Sequence, residues 1–302
     1  MKEKVLRRRI WRGIDRVVRK IDTFERLFGE WVFKERWSTE FALLEGKDIS
    51  SSTHSSIIHM GLNRSASQWI KSVLRRVSET EGLVHVRWNE MAFDSSYPFL
   101  DHLESVEEYQ HIFKPRGYLY SAFGGYPVGI PELPRYKVIL AVRDPRDILV
   151  SRYYSRAFSH RLPFEGSDKR DSVLQERKQA RRQSVDEFVL ETSDELQETY
   201  TIYLDELLDD HPDVHVARYE DMTADVNTWM KSILDYVKIS PPQSIKEEIL
   251  GEARSVRNKK EEDVDSHIRK GEPGDYRHKL SSSTISKLNK KFSRILSHFE
   301  YK

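Results

Sequence analysis

The sequence has 302 residues and a mass of 35.7 kDa, with 50 Lys and Arg against 49 Asp and Glu and no Cys. A hydrophobic fraction of 38% with 33% charged residues excludes a fibrous, wholly disordered or membrane-embedded chain. The lack of Cys excludes disulfides, thiolate zinc sites and a Cys nucleophile, and it fits the reducing cytoplasm. The length allows two domains or one α/β domain with appendages.

The charge is unevenly distributed along the chain. Residues 1–20 carry nine basic and two acidic residues, a net charge of +7, which leaves −6 for the other 282. An acidic body argues against a general nucleic-acid-binding surface. Apolar residues at alternating spacings of four and three predict an amphipathic helix; they are Ile10, Ile14, Val17, Ile21, Phe24, Phe28 and Trp31. We therefore predict a basic helical arm over 1–44. Its apolar stripe packs on its own domain, on a second copy in a homodimer, or on an anionic membrane surface.

The rest of the chain alternates between strand and helix patterns. Residues 45–56 are polar and Ser-rich, which predicts a linker before a domain over 57–302. The predicted strands are Ser56–Met60, Leu83–Arg87, Gly117–Tyr120, Lys137–Val142 and Val214–Ala217. The predicted helices are Ala66–Val77, Pro145–Ser159, Ser184–Asp210, Thr223–Val237 and Ser282–Phe299. This alternation predicts βαβ units and a mainly parallel sheet. The charged residues 165–183 predict an exposed loop or lid near the site.

The first candidate site follows the first strand. Residues 57–69 have the order strand, tight turn and helix start, which aims backbone N–H groups and the positive helix end at one point. Arg64 adds a permanent charge, while Ser65 and Ser67 add hydroxyl donors. The G-x-x-x-x-G-K-[ST] pattern of nucleoside-triphosphatases is missing. These residues alone indicate either an anion-binding loop or an ordinary capped helix.

Two further segments combine turns with cations. A strand ends at Arg143, and Pro145 lies in the first turn of the next helix. Ser151 follows Arg143 by eight residues, about two helical turns, so the two can flank one anion. The alternative is a capped strand–helix junction with a surface Arg. Residues 268–277 contain two Gly and a Pro and predict a loop where cations and backbone approach an anion together.

Four segments, in chain order, resemble motifs of sulfotransferases that use 3′-phosphoadenosine 5′-phosphosulfate (PAPS). Residues 64–69 (RSASQW) resemble K-S-G-T-T-W, with Arg for Lys, Ala for Gly, and Ser and Gln for the two Thr. Residues 143–151 resemble R-[DN]-P-[RK]-D-x-x-x-S, and 219–222 resemble Y-E-D-M. Residues 269–277 resemble R-K-G-x-x-G-D-[WY]-[KR]. Ala at position 66 gives up only the option of a positive φ at that turn.

The resemblance implies a fold and a set of site residues. The implied fold is α/β, three layers with a central parallel sheet, a P-loop-like sulfotransferase domain that follows the helical arm. The resemblance implies that Arg64 stabilises the leaving group, and we predict both Arg64 and Ser151 as catalytic residues. The 5′-phosphosulfate and adenine contacts come from Arg64, Ser65, Ala66, Ser67, Gln68, Trp69 and Tyr219. The 3′-phosphate contacts come from Arg143, Ser151, Arg269, Lys270 and Gly271.

Transfer to a hydroxyl also needs a general base. Sulfotransferases of small phenols and steroids use a His in a K-T-H-L-P segment, but residues 118–127 of this chain contain no His. In carbohydrate and tyrosyl-protein sulfotransferases, a Glu after the second strand is the alternative base that the resemblance implies. Glu90 occupies that place, and His85 and His111 are the alternatives. We therefore predict Glu90 as the base.

These observations predict a PAPS-dependent sulfotransferase that acts on a hydroxyl of a carbohydrate, a glycolipid or another alcohol. Its product nucleotide is adenosine 3′,5′-bisphosphate (PAP), and no metal is expected. The alternative is a PAP- or PAPS-binding protein without turnover that acts as an interaction or scaffold protein through its arm. We expect no nucleic-acid partner and a cytoplasmic location, and peripheral membrane contact through the arm stays an alternative to a homodimer.

Overall fold

The computed structural model describes residues 31–159, 162–163, 170–211, 213–257 and 272–302. The predicted apolar stripe up to Phe28, the first residues of the predicted lid, and Arg269, Lys270 and Gly271 lie outside these ranges. A boundary between Ile49 and Ser50 separates two compact units. In the first unit, helix α1 spans Ser38–Leu44. The proposed domain limits of 1–44, 45–56 and 57–302 stay a prediction.

The second unit is built on a parallel sheet of five strands, in the spatial order β2-β3-β1-β4-β5. The strands are β1 Ile57–Gly61, β2 Val84–Val86, β3 Tyr118–Phe123, β4 Lys137–Val142 and β5 Val214–Arg218. The predicted central parallel sheet is therefore confirmed. Since all strands run in one direction, their carboxyl ends meet at the same edge, where ligands bind in sheets of this kind.

Helices surround the sheet. They are α2 Ser67–Ser78, α3 Trp88–Phe93, α4 Pro145–Tyr154, α5 Arg170–Ala180, α6 Val185–Glu191, α7 Ser193–Ile202, α8 Tyr219–Ala224, α9 Val226–Val237, α10 Gln243–Arg257, α11 Tyr276–Lys279, α12 Ser282–Lys291 and α13 Ser293–His298. Short π-helical turns at Ser155–Ser159 and Tyr203–Leu208 continue α4 and α7.

The core fills both faces of the sheet. On one face, apolar side chains of β1, β3, β4 and β5 pack against α2, α9 and α10 through residues such as Leu74, Ile233 and Ile249. Ile58 and Leu140, which point to the other face, are fully buried as well. This double burial explains why the strands read as nearly continuous apolar runs in the sequence.

Three expectations about elements differ from the structure. The predicted helix over 184–210 is divided, because the Thr192 hydroxyl bonds back to the carbonyl of Phe188 and α6 ends there. The helix predicted from Thr223 begins at Val226, because Asp225 is extended and its carboxylate caps the first turn. The predicted exposed loop over 165–183 is wrong for Arg170–Ala180. Residues 174–180 (LQERKQA) are all good helix formers, which favours the helix α5.

Residues 50–56 of the predicted linker are hydrogen-bonded within the second unit. The N–H of Ser50 donates to the Tyr118 hydroxyl at 3.1 Å, and the N–H of Gly117 donates to the carbonyl of His54 at 2.8 Å. Ser55 forms a bridge to Arg116. This segment therefore follows the amino-terminal end of β3 before β1 begins.

Candidate active site

The loop between β1 and α2 is a tight turn closed on itself. The carbonyl of Leu62 accepts hydrogen bonds from the N–H of Ser65 at 3.0 Å and from its hydroxyl at 2.7 Å. Arg64 and Ala66 adopt positive φ angles of 87° and 63°. No side chain of the described residues caps the amino end of α2. The first N–H groups of the helix are therefore available to an anion, while the Ser65 hydroxyl serves the turn itself.

Gly61 sets how closely this loop approaches the sheet. A Cβ atom at this position would lie 2.9 Å from the Cβ of Ala141 on β4 and 3.3 Å from the Cβ of Ser67. The first contact is closer than van der Waals packing allows. Glycine is therefore required at position 61, where β1 ends and the loop begins.

Ala66 shows that the loop adopts positive φ without glycine. The expectation that Ala gives up this conformation is wrong, since Ala66 has φ 63° and ψ 17° at the start of α2. A left-handed conformation costs an alanine about 1–2 kcal/mol.

We expect Ala66→Gly to raise the free energy of unfolding by about 1 kcal/mol, because glycine adopts a positive φ without this steric cost. Urea denaturation followed by circular dichroism measures the change. Ala253→Gly, within α10, is the matched control and should lower stability by about 0.5–1 kcal/mol. A loss of stability in both variants would contradict the strained turn.

Arg143, directly after β4, lies at the centre of the site. Its Nη1 donates to the carbonyl of Arg64 at 3.1 Å, and its Nη2 lies 3.5 Å from the carbonyl of Glu272 and 3.7 Å from Asp147 Oδ2. The guanidinium stacks over the Tyr219 ring at 4.2 Å. Its Nε is buried and has no hydrogen-bond partner among the described residues. Arg143 therefore contacts the first motif at Arg64, the Y-E-D-M segment at Tyr219, and Glu272 within residues 269–277.

The first and second motifs also meet through side chains. Arg64 Nε donates to Ser151 Oγ at 2.8 Å, although the two residues are 87 positions apart. Arg64, which follows β1, and Arg143, which follows β4, are therefore linked both through Ser151 on α4 and through the Arg64 carbonyl. Both side chains carry a permanent positive charge, which favours an anion at this edge of the sheet.

The backbone around Arg143 is held by buried polar groups. Tyr200 donates its hydroxyl to the carbonyl of Arg143, and burial raises the pKa of this tyrosine. The N–H of Asp144 donates to Glu220 Oε1 at 3.0 Å. Burial raises the pKa of Glu220, although the positive charge of Arg143 acts to lower it. Asp144 in turn forms a two-point ion pair with Arg146 at 2.6 and 3.0 Å. Such buried pairs fix the strand–helix junction in one geometry.

Asp147 fixes the described part of the 269–277 segment. Its carboxylate accepts hydrogen bonds from the N–H groups of Gly274 at 2.6 Å and Tyr276 at 3.0 Å. Burial raises the pKa of Asp147, although Arg143 and these N–H groups oppose the shift. The chain that directly follows 269–271 therefore lies against Arg143. The expected contacts of Arg269, Lys270 and Gly271 with the 3′-phosphate stay predictions.

The remaining residues of the first motif have different surroundings. Ser67 is buried at the first position of α2, and Gln68 is exposed. Trp69 packs on the core, with its ring 5.5 Å from that of Trp229, and its Nε1 has no hydrogen-bond partner among the described residues. The expected stacking of Trp69 and Tyr219 on adenine stays a prediction.

Glu90 lies in the first turn of α3, just after β2. Its Oε1 pairs with the Lys71 ammonium from α2, and its Oε2 lies 3.9 Å from Arg87 Nη1. Burial raises the pKa of Glu90, but Lys71, Arg87 and His85 together outweigh it and bring the pKa below the ordinary value. The carboxylate is therefore ionised at neutral pH.

His59 and His85, which lie near this site, are neutral at neutral pH. Burial lowers the pKa of His59 to about 3 and that of His85 to about 4. His59 Nδ1 lies 2.9 Å from Ser121 Oγ, and its Nε2 is buried without a partner among the described residues. His85 Nε2 lies 3.4 Å from the carbonyl of Ser121. His111 is exposed in the short turn Glu107–Ile112.

Several residues of this site were not singled out in the sequence. Lys71 is one of three Lys and Arg residues in its helix, and only the folded chain brings it to Glu90. Asp147 is the second aspartate of residues 143–151, and it occupies the fixed D of the R-[DN]-P-[RK]-D-x-x-x-S motif. Tyr200 has no local pattern that marks it.

The described residues contain neither a metal-binding cluster nor a membrane-spanning helix. Across these ranges, no group of three or more His, Asp or Glu is arranged to hold a metal ion. None of the helices in this part of the chain is both long and apolar enough to cross a membrane.

Comparison with known proteins gives the family of the chain. The fold is similar to that of mouse sulfotransferase SULT7A1 complexed with PAP, with a TM-score of 0.55 and 16% identity over 84% of this chain and 89% of that one. Retinol dehydratase with androsterone and the inactive cofactor PAP gives a TM-score of 0.44 and 13% identity, over 84% of each chain. No protein of curated function matches in sequence. The family model described as "Sulfotransferase domain" matches residues 54–300, and the chain therefore belongs to the sulfotransferase domain family.

Proposed function

We propose that this sulfotransferase takes its sulfuryl group from PAPS and transfers it to a hydroxyl of a carbohydrate, a glycolipid or another alcohol. The observation that carries the proposal is the meeting of Arg64, Arg143 and Ser151 at the carboxyl edge of the sheet. These residues come from two segments that resemble the nucleotide-binding motifs of the family. The solved structures to which this fold is similar contain PAP.

The residues fit a nucleotide that carries anions at both ends. Arg143 has a buried Nε without a partner among the described residues, and the amino end of α2 is uncapped in the same part of the chain. Arg64 and the first N–H groups of α2 would hold the 5′ end, and Arg143 with Ser151 would hold the 3′-phosphate. Guanidinium forks bind phosphate groups through paired hydrogen bonds, which suits both arginines.

The chemistry divides between donor and protein. When bound, PAPS supplies an activated sulfuryl group on a phosphate leaving group. Arg64 stabilises the negative charge that develops on that phosphate as its bond to sulfur breaks. The acceptor oxygen forms the new bond to sulfur and gives up its proton. Glu90 accepts that proton.

Glu90 is favoured over the histidines by its position. It follows β2 at the same edge of the sheet as the loop of Arg64, its side chain is 38% exposed, and it is ionised. His59 is fully buried, and His111 is exposed in a turn before β3. His85 is directed to the Ser121 carbonyl. Glu90 thus combines access to an acceptor with the charge state of a base.

Transfer of ³⁵S from labelled PAPS tests the donor and the acceptor class together. The panel contains a simple alcohol, a phenol, an oligosaccharide and a glycolipid. We expect labelled product from an alcohol or sugar hydroxyl and none from the phenol. Binding of PAP, seen as a thermal shift, without labelled product from any acceptor would instead favour a nucleotide-binding scaffold protein.

Glu90→Gln should lower kcat by roughly 10²- to 10⁴-fold, because the amide cannot accept the proton, and should leave PAP affinity unchanged. In the unaltered protein the carboxylate protonates only as the pH falls through its lowered pKa, so turnover should persist from neutral to mildly acidic pH and then fall. His85→Asn and His111→Asn are the controls and should keep their turnover. Full turnover by Glu90→Gln would exclude it as the base.

We also propose a cytoplasmic location, supported by the absence of Cys among 302 residues. The net charge of residues 1–20 supports contact of the arm with an anionic membrane surface, and its apolar stripe supports contact with a second copy. Fractionation of cells that express the full chain tests the location.

A further inference from the structure

Four titratable side chains meet where α2 passes the end of β2. This Glu90 cluster consists of Lys71 on α2, His85 on β2, Arg87 in the connection and Glu90 on α3. Each carboxylate oxygen of Glu90 faces a different cation, Oε1 the ammonium of Lys71 and Oε2 the guanidinium of Arg87. The carboxylate is therefore held from two sides.

Lys71 is the inner partner of the cluster. Its side chain is 17% exposed, against 34% for Arg87 and 38% for Glu90. A lysine buried to this degree needs a counter-charge, and its hydrogen bond to Glu90 supplies one. Lys71 therefore restricts Glu90 more strongly than the outer Arg87 does, because Arg87 Nη1 lies 3.9 Å from Glu90 Oε2.

The same helix carries Lys71 and the nucleotide loop. Ser67 opens α2 directly after the loop of Arg64, and Lys71 follows four residues later. At a rise of 1.5 Å per residue, this places Lys71 about 6 Å further along the helix axis. A carboxylate bound to Lys71 is thus attached to the rigid element that begins at the anion-binding turn.

We propose that Lys71 is the positioning residue for the general base: it holds the Glu90 carboxylate at a fixed distance from the Arg64 loop, on the side where the acceptor hydroxyl approaches. The proposal rests on the proposed function, in which Glu90 accepts the proton of the acceptor. Lys71 does not contact the reacting atoms and acts only through Glu90.

The charges around Glu90 determine the sign of the expected effect. Burial raises the pKa of Glu90, whereas Lys71, Arg87 and His85 lower it, and the net pKa is below the ordinary value. His59 on β1 also interacts with Lys71, but burial keeps it neutral. Without Lys71 the effect of burial is opposed mainly by the more distant Arg87. The pKa of Glu90 should then rise, and the carboxylate should be protonated at a higher pH.

The variants are Lys71→Met, which keeps the length and removes the charge, and Lys71→Arg, which keeps the charge. Lys231→Met is the matched control, because it removes an ion pair of 3.0 Å with Asp235 on the exposed face of α9. Lys71→Gln is the second neutral variant if Lys71→Met does not fold. Circular dichroism and PAP affinity show that each variant is folded and binds nucleotide.

The first measurement needs neither donor nor acceptor. Glutamate carboxyl groups labelled with ¹³C are titrated by NMR in the full chain, and the signal lost in Glu90→Gln identifies Glu90. We expect the pKa of Glu90 to lie below the ordinary glutamate value in the unaltered protein and in Lys231→Met. It should lie above that value in Lys71→Met and return towards the original in Lys71→Arg. An unchanged pKa in Lys71→Met overturns the proposal.

The second measurement is the pH profile of kcat/KM for ³⁵S transfer from PAPS to the acceptor found in the panel, because this profile reports the pKa values of the free enzyme. Lys71→Met should move the acid limb to higher pH by the same amount as the NMR pKa, with PAP affinity unchanged, and Lys71→Arg should restore the limb. A limb that does not follow the NMR shift overturns the positioning role. Full turnover by Glu90→Gln, in contrast, contradicts the proposed base itself, whatever Lys71 does.

Discussion

Replacing Arg143 with alanine is expected to weaken PAP binding by between about 30-fold and about 4,000-fold, because removing one partner of a buried charge pair costs about 2–5 kcal/mol. The side chain is 11% exposed, and its fork reaches the Arg64 carbonyl and Asp147. The variant therefore loses both the charge and the group that joins the motifs. Isothermal titration with PAP measures the change.

Arg143→Lys distinguishes charge from geometry. Lysine keeps the positive charge but has no planar fork, so its affinity for PAP should lie between those of the arginine and alanine proteins. Arg135→Ala is the matched control: this arginine precedes β4 at the opposite edge of the sheet and pairs with Glu132 in solvent. PAP affinity that is equal in Arg143→Ala and Arg135→Ala would remove Arg143 from the nucleotide site.

Arg64→Ala should lower kcat by about 10²- to 10³-fold, the usual effect of removing one group that stabilises charge in the transition state. Its effect on PAP affinity should be smaller, because the charge it opposes develops only as the bond to sulfur breaks. Single-turnover transfer of ³⁵S from PAPS measures the chemical step directly.

Arg64→Lys and Arg75→Ala complete this series. Lysine stands at this place in the motif that the loop resembles, so Arg64→Lys should recover most of the rate while losing the Nε hydrogen bond to Ser151. Arg75 lies in the last turn of α2 and should be replaceable without loss of turnover. A kcat of Arg64→Ala equal to that of Arg75→Ala would contradict the role of Arg64.

The fold was largely predictable because its strands are buried on both faces. Lys137–Val142 was predicted with the bounds that the structure shows, since a continuous apolar run ends at Arg143 and a Pro begins the helix. β3 was predicted to end at Tyr120 but continues to Phe123. The extension includes Ser121, a buried polar residue. Its hydroxyl oxygen lies 2.9 Å from His59 Nδ1, which satisfies it inside the core. A local pattern does not reveal such a tertiary partner.

The site was predictable where its residues belong to motifs and not where they meet only in the folded chain. Arg64, Arg143, Ser151 and Tyr219 lie within recognisable segments, and the structure brings them together. Lys71 and Glu90 belong to different helices, and their contact depends on how α2 crosses the sheet. The positive φ of Ala66 could not be predicted either, because the surrounding hydrogen bonds impose a conformation that alanine itself disfavours.

The hydrogen bond from Arg143 to the main chain of Arg64 has a consequence for how mutations combine. The donor belongs to one motif and the acceptor carbonyl to another, 79 residues away. A change at either position alters the support of the other, so the free-energy effects of the two substitutions should not be additive. The two motifs therefore form one cooperative unit. Transplanting either motif alone into a related chain would carry over its residues without the partner that orients them.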